Sequence, residues 1–247
     1  MENKIHLIMP MAGRGSRFYE KGFHLPKPLI SIYGRPFFYW AVQSVQKFTD
    51  LESLDFVILQ EHDDKYHMRE VILSYYPDAR IHVLEEVTEG AVITCLKGIA
   101  DISDDLPVLF NDCDHLFKCS RLSDYCNRGD ARDIDGILLT FRSDEAKYSY
   151  VVRDKAGMVT GTVEKETAGH EAVCGCYYFR NSSVFACAAD QYLKKCEYSE
   201  YFMSGVYNIL VSNGQTVACM ETDFHISYGV PEEYEEAKKR TEYEALI

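Results

Sequence analysis

The sequence predicts an α/β fold: a mainly parallel, mixed sheet flanked by helices, with a small antiparallel lobe added late in the chain. Three observations carry this expectation. Apolar strand-like segments alternate with amphipathic helical segments up to about residue 142. Glycine-rich or acidic polar runs stand where two of the apolar segments end. Beyond about residue 143 the grain changes to short strand-like segments broken by turns.

In chain order, residues 5–10 read as an apolar strand. Residues 36–48 read as a helix, with Pro36 in its first turn and aromatic side chains along one face. A strand at 54–60 leads to one amphipathic helix over 62–75, stopped before Pro77. A short strand at 80–84 and a helix at 91–100 follow. Residues 106–110 are an apolar strand that runs into Asn111-Asp112-Cys113-Asp114, and 133–141 is another strand. Segments 149–153, 159–163 and 173–179 have the alternation of short strands, with a turn at Lys155-Ala156-Gly157. Helices at 183–194 and 202–213 come next, and Gly214 stands where a helix-terminating glycine belongs. A strand near 215–220 and a terminal helix from Pro231 close the pattern. No repeat or low-complexity linker interrupts it, so residues 1–247 are expected to form one domain.

Composition narrows the function classes. Hydrophobic residues at 47% are enough for a full core. A net charge of −13 argues against general nucleic-acid binding and against an anionic membrane surface. The nine cysteines are odd in number and form no CxxC pair. The first residues, Met-Glu-Asn-Lys, carry no long apolar stretch. The expectation is a cytoplasmic protein with reduced, mostly buried cysteines. Cys174 and Cys176 point the same way in a strand, and no histidine or further cysteine cluster completes a site with them, so they are expected to pack in the core.

Against this acidic background, Gly13-Arg14-Gly15-Ser16-Arg17 follows the first strand as a local basic island. Glycines let backbone N–H groups approach phosphate oxygens, and arginine forks bind two such oxygens at once. The run is not a Walker A loop, because no Gly-Lys-Ser/Thr follows. Nor is it a dinucleotide GxGxxG, because Phe18 stands in place of the third glycine. Lys27 is held stiffly between Pro26 and Pro28. Asp112 and Asp114 lie at the carboxyl end of an apolar strand, where ligands bind in open α/β sheets, and could hold Mg2+ against phosphate. Glu164-Lys165 lies at the end of a lobe strand as either a surface ion pair or an acceptor contact.

Met9 to Phe18, then Pro26-Lys27-Pro28-Leu29-Ile30, then Gly34-Arg35-Pro36, resembles the signature of the nucleotidyltransferases that activate sugar phosphates. That family includes glucose-1-phosphate thymidylyltransferases and uridylyltransferases, phosphocholine cytidylyltransferases and capsule-locus enzymes of similar length. Later landmarks also match: Glu89-Gly90-Ala91, Asn111 to His115, Glu164-Lys165, Gly175 to Phe179, Val206-Tyr207-Asn208 and Gly229 to Glu233. The resemblance implies a GT-A-like nucleotide-diphospho-sugar transferase fold, with a nucleotide half over about 1–142 and an acceptor half over about 143–230. It implies an enzyme that moves an NMP from an NTP to a sugar 1-phosphate or other phosphorylated metabolite and releases pyrophosphate. Mg2+ is the implied cofactor, and surface-polysaccharide precursor synthesis the implied setting.

By position, the backbone of Ala12, Gly13, Gly15 and Ser16 would cradle phosphates with Arg14, and Arg17 would hold the leaving pyrophosphate. Lys27 would meet the α-phosphate. Glu89 and Gly90 would lie at the base. Asp114, with Asp112, would bind the metal. Glu164, Lys165, Tyr150 and Gly175 would contact the acceptor. Tyr148, Tyr177 and Tyr178 either line the same pocket or pack in the sheet. One departure stands out: Ser227 occupies the place of the family's late metal aspartate, which leaves Asp112 with Asp114, or a displaced Asp223, to serve. The short chain and its Asp-x-Asp lean toward CMP transfer, with UMP and dTMP as alternatives. A GT-A glycosyltransferase and a catalytically weakened nucleotide-binding regulator are the competing readings, and homo-oligomerisation stays open.

Overall fold

The computed structural model describes residues 4–128 and 133–246. Its framework is a nine-stranded sheet, apart from which β2 (Ser31–Ile32) and β3 (Arg35–Pro36) pair as a short hairpin. Strand β1 (Lys4–Pro10) lies inside it, because a run buried on both faces can only sit between covered neighbours. It pairs in parallel with β4 (Asp50–Leu59) on one side and β6 (Val108–Asn111) on the other. β5 (Arg80–Leu84) pairs in parallel with β4 at that edge. Beyond β6 comes β11 (Glu171–Phe179), antiparallel to it, then β8 (Gly136–Arg142), with β12 (Val217–Glu221) parallel to β8.

The antiparallel lobe is continuous with this sheet. β9 (Ser149–Arg153) and β10 (Val159–Glu164) pair antiparallel, and β9 joins the start of β11 at Ala172–Tyr150. The same edge of β11 therefore serves β9 first and β6 afterwards. The fork falls at Gly175, inside a register shift between Val173 and Tyr177. A crevice opens there, for the same reason that one opens at a switch point in a parallel sheet.

Helices cover both faces. α2 (Phe37–Gln46), α4 (Met68–Tyr75) and α6 (Ser120–Cys126) cover one face, packing with Met9, Phe56 and Leu109. α5 (Ala91–Gly98), α7 (Ser182–Lys195) and α8 (Met203–Ser212) cover the other with Val57, Phe110 and Phe179. α7 starts at Asn181, whose side chain accepts from the Val184 N–H. α8 is tied to β10 by Asn208, which accepts from Thr162 N at 2.6 Å and donates to Thr162 O at 3.1 Å. Gly214 ends α8 at φ +74°, as expected for the residue after a helix.

Two features depart from the sequence expectation. The helix expected over 62–75 is two, α3 (Gln60–Tyr66) and α4, separated by His67 at φ +51°. Asp63 explains the break: its carbonyl accepts from His67 N, and its carboxylate accepts from Arg69 N at 2.9 Å, capping the second helix. The second is an unforeseen ribbon of β7 (His115–Lys118) with β13 (Phe224–Ser227). This ribbon sets Ser227 opposite His115 and brings Tyr228 and Gly229 beside Asp114.

A third cluster anchors the loop after β1. Phe18, in the short helix α1 (Ser16–Glu20), packs edge-on against Phe23 at 5.1 Å and Phe37 at 5.9 Å, with Tyr234 of α9 (Pro231–Ala237) beyond. Each such aromatic pair adds about 0.5–1.5 kcal/mol beyond the area it buries. Phe18 thus holds the loop by packing, where a dinucleotide loop would have its third glycine. Cys95, Cys113, Cys119, Cys174 and Cys176 are buried, and all nine cysteines are free. No helix among the described residues is long and apolar enough to cross a membrane.

Candidate active site

β1 ends at Pro10 and the chain turns through Ala12, Gly13 and Arg14 into Gly15, which adopts φ +64° at the head of α1. A Cβ on Gly15 would lie 3.0 Å from Lys27 Cβ, so the two basic segments of the sequence touch. Lys27 opens a 3-10 turn (Lys27–Leu29) that Pro26 and Pro28 hold. Its ammonium donates to Asp114 Oδ2 at 2.8 Å. Burial works against that charge, but Asp114, with Cys113 and Asp112 adding, holds the Lys27 pKa above its ordinary value.

Asp112 and Asp114 follow β6 in the turn that enters β7. Burial opposes ionisation of Asp114, yet the Lys27 contact outweighs it and keeps the carboxyl below the usual range. Burial, with Asp114 beside it, pushes Asp112 up to about 7 against the pull of Lys27. Asp112 N donates to Gly175 O at 3.0 Å. Gly175 sits at φ +82°, and a Cβ there would meet Asp112 Oδ2 at 2.8 Å. Among the described residues nothing donates to the Asp112 carboxylate. A half-buried carboxylate without a donor, crowded by a second carboxylate, has the chemistry of a hard-cation ligand. The donor set therefore fits Mg2+, which takes one or two protein carboxylates beside phosphate oxygens.

Three cavities lie along this region, two of them lined by the pair. One of about 180 Å³ is lined by Gly13, Gly15, Lys27, Asp112 and Asp114. A second, of about 140 Å³, lies between Ala12, Gly13, Thr88, Gly90 and Thr94. Here Gly90 is required by close approach, since a Cβ would fall 2.4 Å from Tyr201 N. The largest, about 310 Å³, is lined on its near wall by Arg17, Lys27, Asp112 and Asp114. Lys147, Tyr148, Glu164, Lys165 and Glu233 form its far wall.

The far wall is a tied polar network. Glu164 accepts from Ser149 Oγ at 2.5 Å and from Ser204 Oγ; burial nonetheless raises its pKa, only partly offset by these bonds. Lys165 is at φ +53°, a strained position for a side-chain-bearing residue, and its ammonium lies 4.9 Å from the Phe202 ring centroid. Glu233, at the start of α9, accepts from Ser227 Oγ at 2.6 Å, Gly229 N at 3.0 Å, Tyr148 OH at 2.5 Å and Lys147 Nζ at 2.6 Å. Burial alone would raise Glu233, but these donors, Lys147 first, hold it low.

The structure brings together most of the residues singled out from sequence. Ala12, Gly13, Gly15, Lys27, Gly90, Asp112 and Asp114 line the two smaller cavities, and Arg17, Glu164, Lys165 and Gly175 line the large one. Ser16 is exposed at the first turn of α1, and Glu89 is exposed beside Gly90, its carbonyl accepting from Tyr201 N. Arg14 turns away, toward a separate depression with Glu61, Glu85 and Glu86. Tyr150 corrects the expectation of an acceptor contact. It is fully buried, and its hydroxyl donates to Glu145 O at 2.9 Å, so Tyr148 and Ser149 face the cavity instead. Tyr177 also lines the cavity, whereas Tyr178 packs in the core. Asp223 does not move in for Ser227: its carboxylate caps Ser120, accepting from N at 3.0 Å and Oγ at 2.5 Å. Lys147 and Glu233 escaped sequence reasoning, although a glutamate three residues after Val230, with Pro231 between, is a recognisable helix start.

The family model of nucleotidyl transferases matches residues 6–243, and the chain belongs to that family. Among curated proteins it resembles the bifunctional protein GlmU of Enterococcus faecalis, at 23% identity over 240 residues. That match covers 93% of this chain and 50% of GlmU, so the chain spans about half the length of that relative. Among solved structures, a nucleoside-diphosphate-sugar pyrophosphorylase from Vibrio cholerae superposes with a TM-score of 0.78 at 22% identity, covering 95% of this chain and 100% of that one. The inositol-1-phosphate CTP transferase from T. maritima gives 0.73 at 16% identity, with 96% and 95% covered. The mixed, mostly parallel sheet flanked by helices is the fold these proteins share.

Proposed function

We propose that this chain transfers a nucleoside monophosphate from an NTP to a sugar 1-phosphate or another phosphorylated small metabolite, releasing pyrophosphate with Mg2+ bound. The observation that carries the reading is the placement of Lys27, Asp112 and Asp114, which line both the cavity beside the glycine loop and the large cavity facing Lys165. A reaction at one phosphorus needs two anionic reactants to meet at one point, and these groups stand where the two cavities join.

In this reading the NTP lies with its phosphates along Gly13 and Gly15, its leaving end toward Arg17 and its base toward Gly90. The acceptor enters the large cavity, its phosphate toward Lys165 and its hydroxyls toward Glu164. The acceptor phosphate is already ionised near neutral pH, its second pKa being about 6, so no general base is needed. Lys27, released from Asp114 by the incoming phosphate, neutralises charge that builds in the transition state. Holding both reactants in line supplies the remaining advantage. Mg2+, held by Asp114 and Asp112, would supply charge neutralisation at the phosphate oxygens. CMP is the group we favour; support comes from the Asp-x-Asp arrangement without a late aspartate and from the likeness to a CTP transferase. A cytoplasmic role in making surface-polysaccharide precursors belongs to the same proposal.

The test is a matrix of the four NTPs with dTTP against hexose 1-phosphates, inositol 1-phosphate and phosphocholine, read by pyrophosphate release with and without Mg2+. Release with one acceptor, abolished by EDTA, is expected. Folded protein that stays silent across the matrix sinks the reading, and sugar transfer from a nucleotide-sugar would replace it with a glycosyltransferase.

A further inference from the structure

Sequence spacing gives Cys174 no metal-site pattern, but the fold brings two histidines to it. One ring nitrogen of His115, one of His225 and the Cys174 Sγ all lie within 4.8 Å of one another. His115 comes from β7, His225 from the facing strand β13, and Cys174 from β11 just before its fork. All three line the large cavity. We propose that His115, Cys174 and His225 form a site for a thiophilic divalent transition ion of the zinc class, opening onto that cavity.

Four observations support this site. The donor set is two imidazoles and one sulfur, which selects zinc-class ions over Mg2+. His115 Nδ1 and His225 Nε2 are 3.2 Å apart. A tetrahedral zinc with bonds of about 2.0–2.1 Å separates two imidazole nitrogens by about 3.3 Å, so the two rings are already spaced for it. His115 is also oriented as metal-binding histidines are. Asn111 Nδ2 donates to Ala41 O at 2.9 Å, which turns Asn111 Oδ1 toward His115 Nε2, also at 2.9 Å. That bond places the His115 proton on Nε2 and leaves Nδ1 as the lone-pair nitrogen facing His225, the tautomer a metal needs. Finally, the rings are fixed: His225 lies against Phe141 at 4.1 Å between centroids and His115 against Phe117 at 5.4 Å.

With the His115 proton on Nε2, the donor to His115 Nδ1 in the metal-free protein is the His225 Nε2–H. On binding, that proton moves to His225 Nδ1, the Cys174 thiol releases one proton to solvent, and the ion takes Nδ1, Nε2 and Sγ. The fourth position faces the cavity, where water or an oxygen of a bound molecule completes the tetrahedron. The site is independent of the oxygen ligands Asp112 and Asp114, so its failure leaves the nucleotidyl-transfer reading standing, and the reverse holds too.

Co2+ is the probe. Metal-stripped protein titrated with Co2+ at neutral pH is expected to develop the visible bands of a tetrahedral ion and a near-ultraviolet sulfur-to-cobalt band, both saturating at one ion per chain. Zn2+ should bleach them; excess Mg2+ should not. Cys174→Ser should lose the sulfur band, and His225→Gln should weaken binding of Co2+, with folding of each checked by near-ultraviolet circular dichroism. Cys187→Ser, at an exposed cysteine far from the cluster in sequence, should titrate as the parent does. No stoichiometric band in the parent protein overturns the proposal, as does a sulfur band undiminished in folded Cys174→Ser.

Discussion

Lys27 is the side chain on which the proposed chemistry leans most. It is half-buried, fixed between prolines and paired with Asp114 at 2.8 Å. Lys27→Ala is expected to lower kcat by about 10²–10³-fold with a smaller change in KM for the NTP, because its charge is needed most when the phosphorus is five-coordinate. Steady-state pyrophosphate release measures this, and an unchanged kcat removes the assigned role. Gly175 makes a second case. Its φ of +82° and a Cβ position 2.8 Å from Asp112 Oδ2 leave no room for a side chain. Gly175→Ala should cost about 1–3 kcal/mol in urea denaturation and also displace Asp112, weakening stabilisation by Mg2+. Lys27 and the two aspartates were legible in sequence because each sits in a local frame, a proline clamp or a strand end. Ser227 was legible only as a missing aspartate; that Glu233 binds its hydroxyl and pairs with Lys147 was not, because those contacts join residues from separate segments.

Elements, not only side chains, place the wall proposed to hold the acceptor. α8 is locked to β10 through Asn208, whose amide fills both hydrogen-bonding groups of Thr162 as a neighbouring strand would. Gly161 leaves the space, since a Cβ there would meet Asn208 Oδ1 at 2.6 Å. Asn208→Ala strips partners from a buried N–H and C=O together and should destabilise by about 1–3 kcal/mol. Ser204, one turn earlier on α8, reaches Glu164, so the same variant should raise KM for the acceptor more than KM for the NTP. A loss shared equally by both substrates would argue against this coupling. The sequence marked α8 correctly from its apolar period and Gly214. The split of α3 from α4 and the β7–β13 ribbon were hidden, since the first turns on one left-handed residue and the second pairs strands far apart in the chain.

Across the molecule, the parallel half of the sheet depends on a buried charge. Asp55 on β4 is fully buried and accepts from Arg80 at 2.7 and 2.8 Å, His82 at 2.9 Å and Ser53 at 2.6 Å. Burial alone would raise its pKa, but His82, Arg80 and Ser53 together hold it below the ordinary value. A carboxyl lowered on folding stabilises the native state above its unfolded pKa of about 3.9, and that contribution is lost as pH falls through the lower folded value. Urea midpoints should therefore drop on acidification below about pH 4, and Asp55→Asn should be less stable at neutral pH with a flatter acid limb. An acid limb as steep in Asp55→Asn as in the parent would assign the acid loss to other carboxylates.

The sequence by itself determined the strand and helix alternation, the glycine–arginine loop, the proline-held lysine and the paired aspartates. Each follows from forces acting over a few residues: apolar periodicity, glycine freedom, proline rigidity and the strand end. Only the tertiary structure decided that Tyr150 is core, that Glu233 joins Ser227 to Lys147, and that Cys174 meets two histidines. Those outcomes depend on the fork of β11 and the pairing of β7 with β13, contacts whose partners are separated by long stretches of chain and leave no local pattern to read.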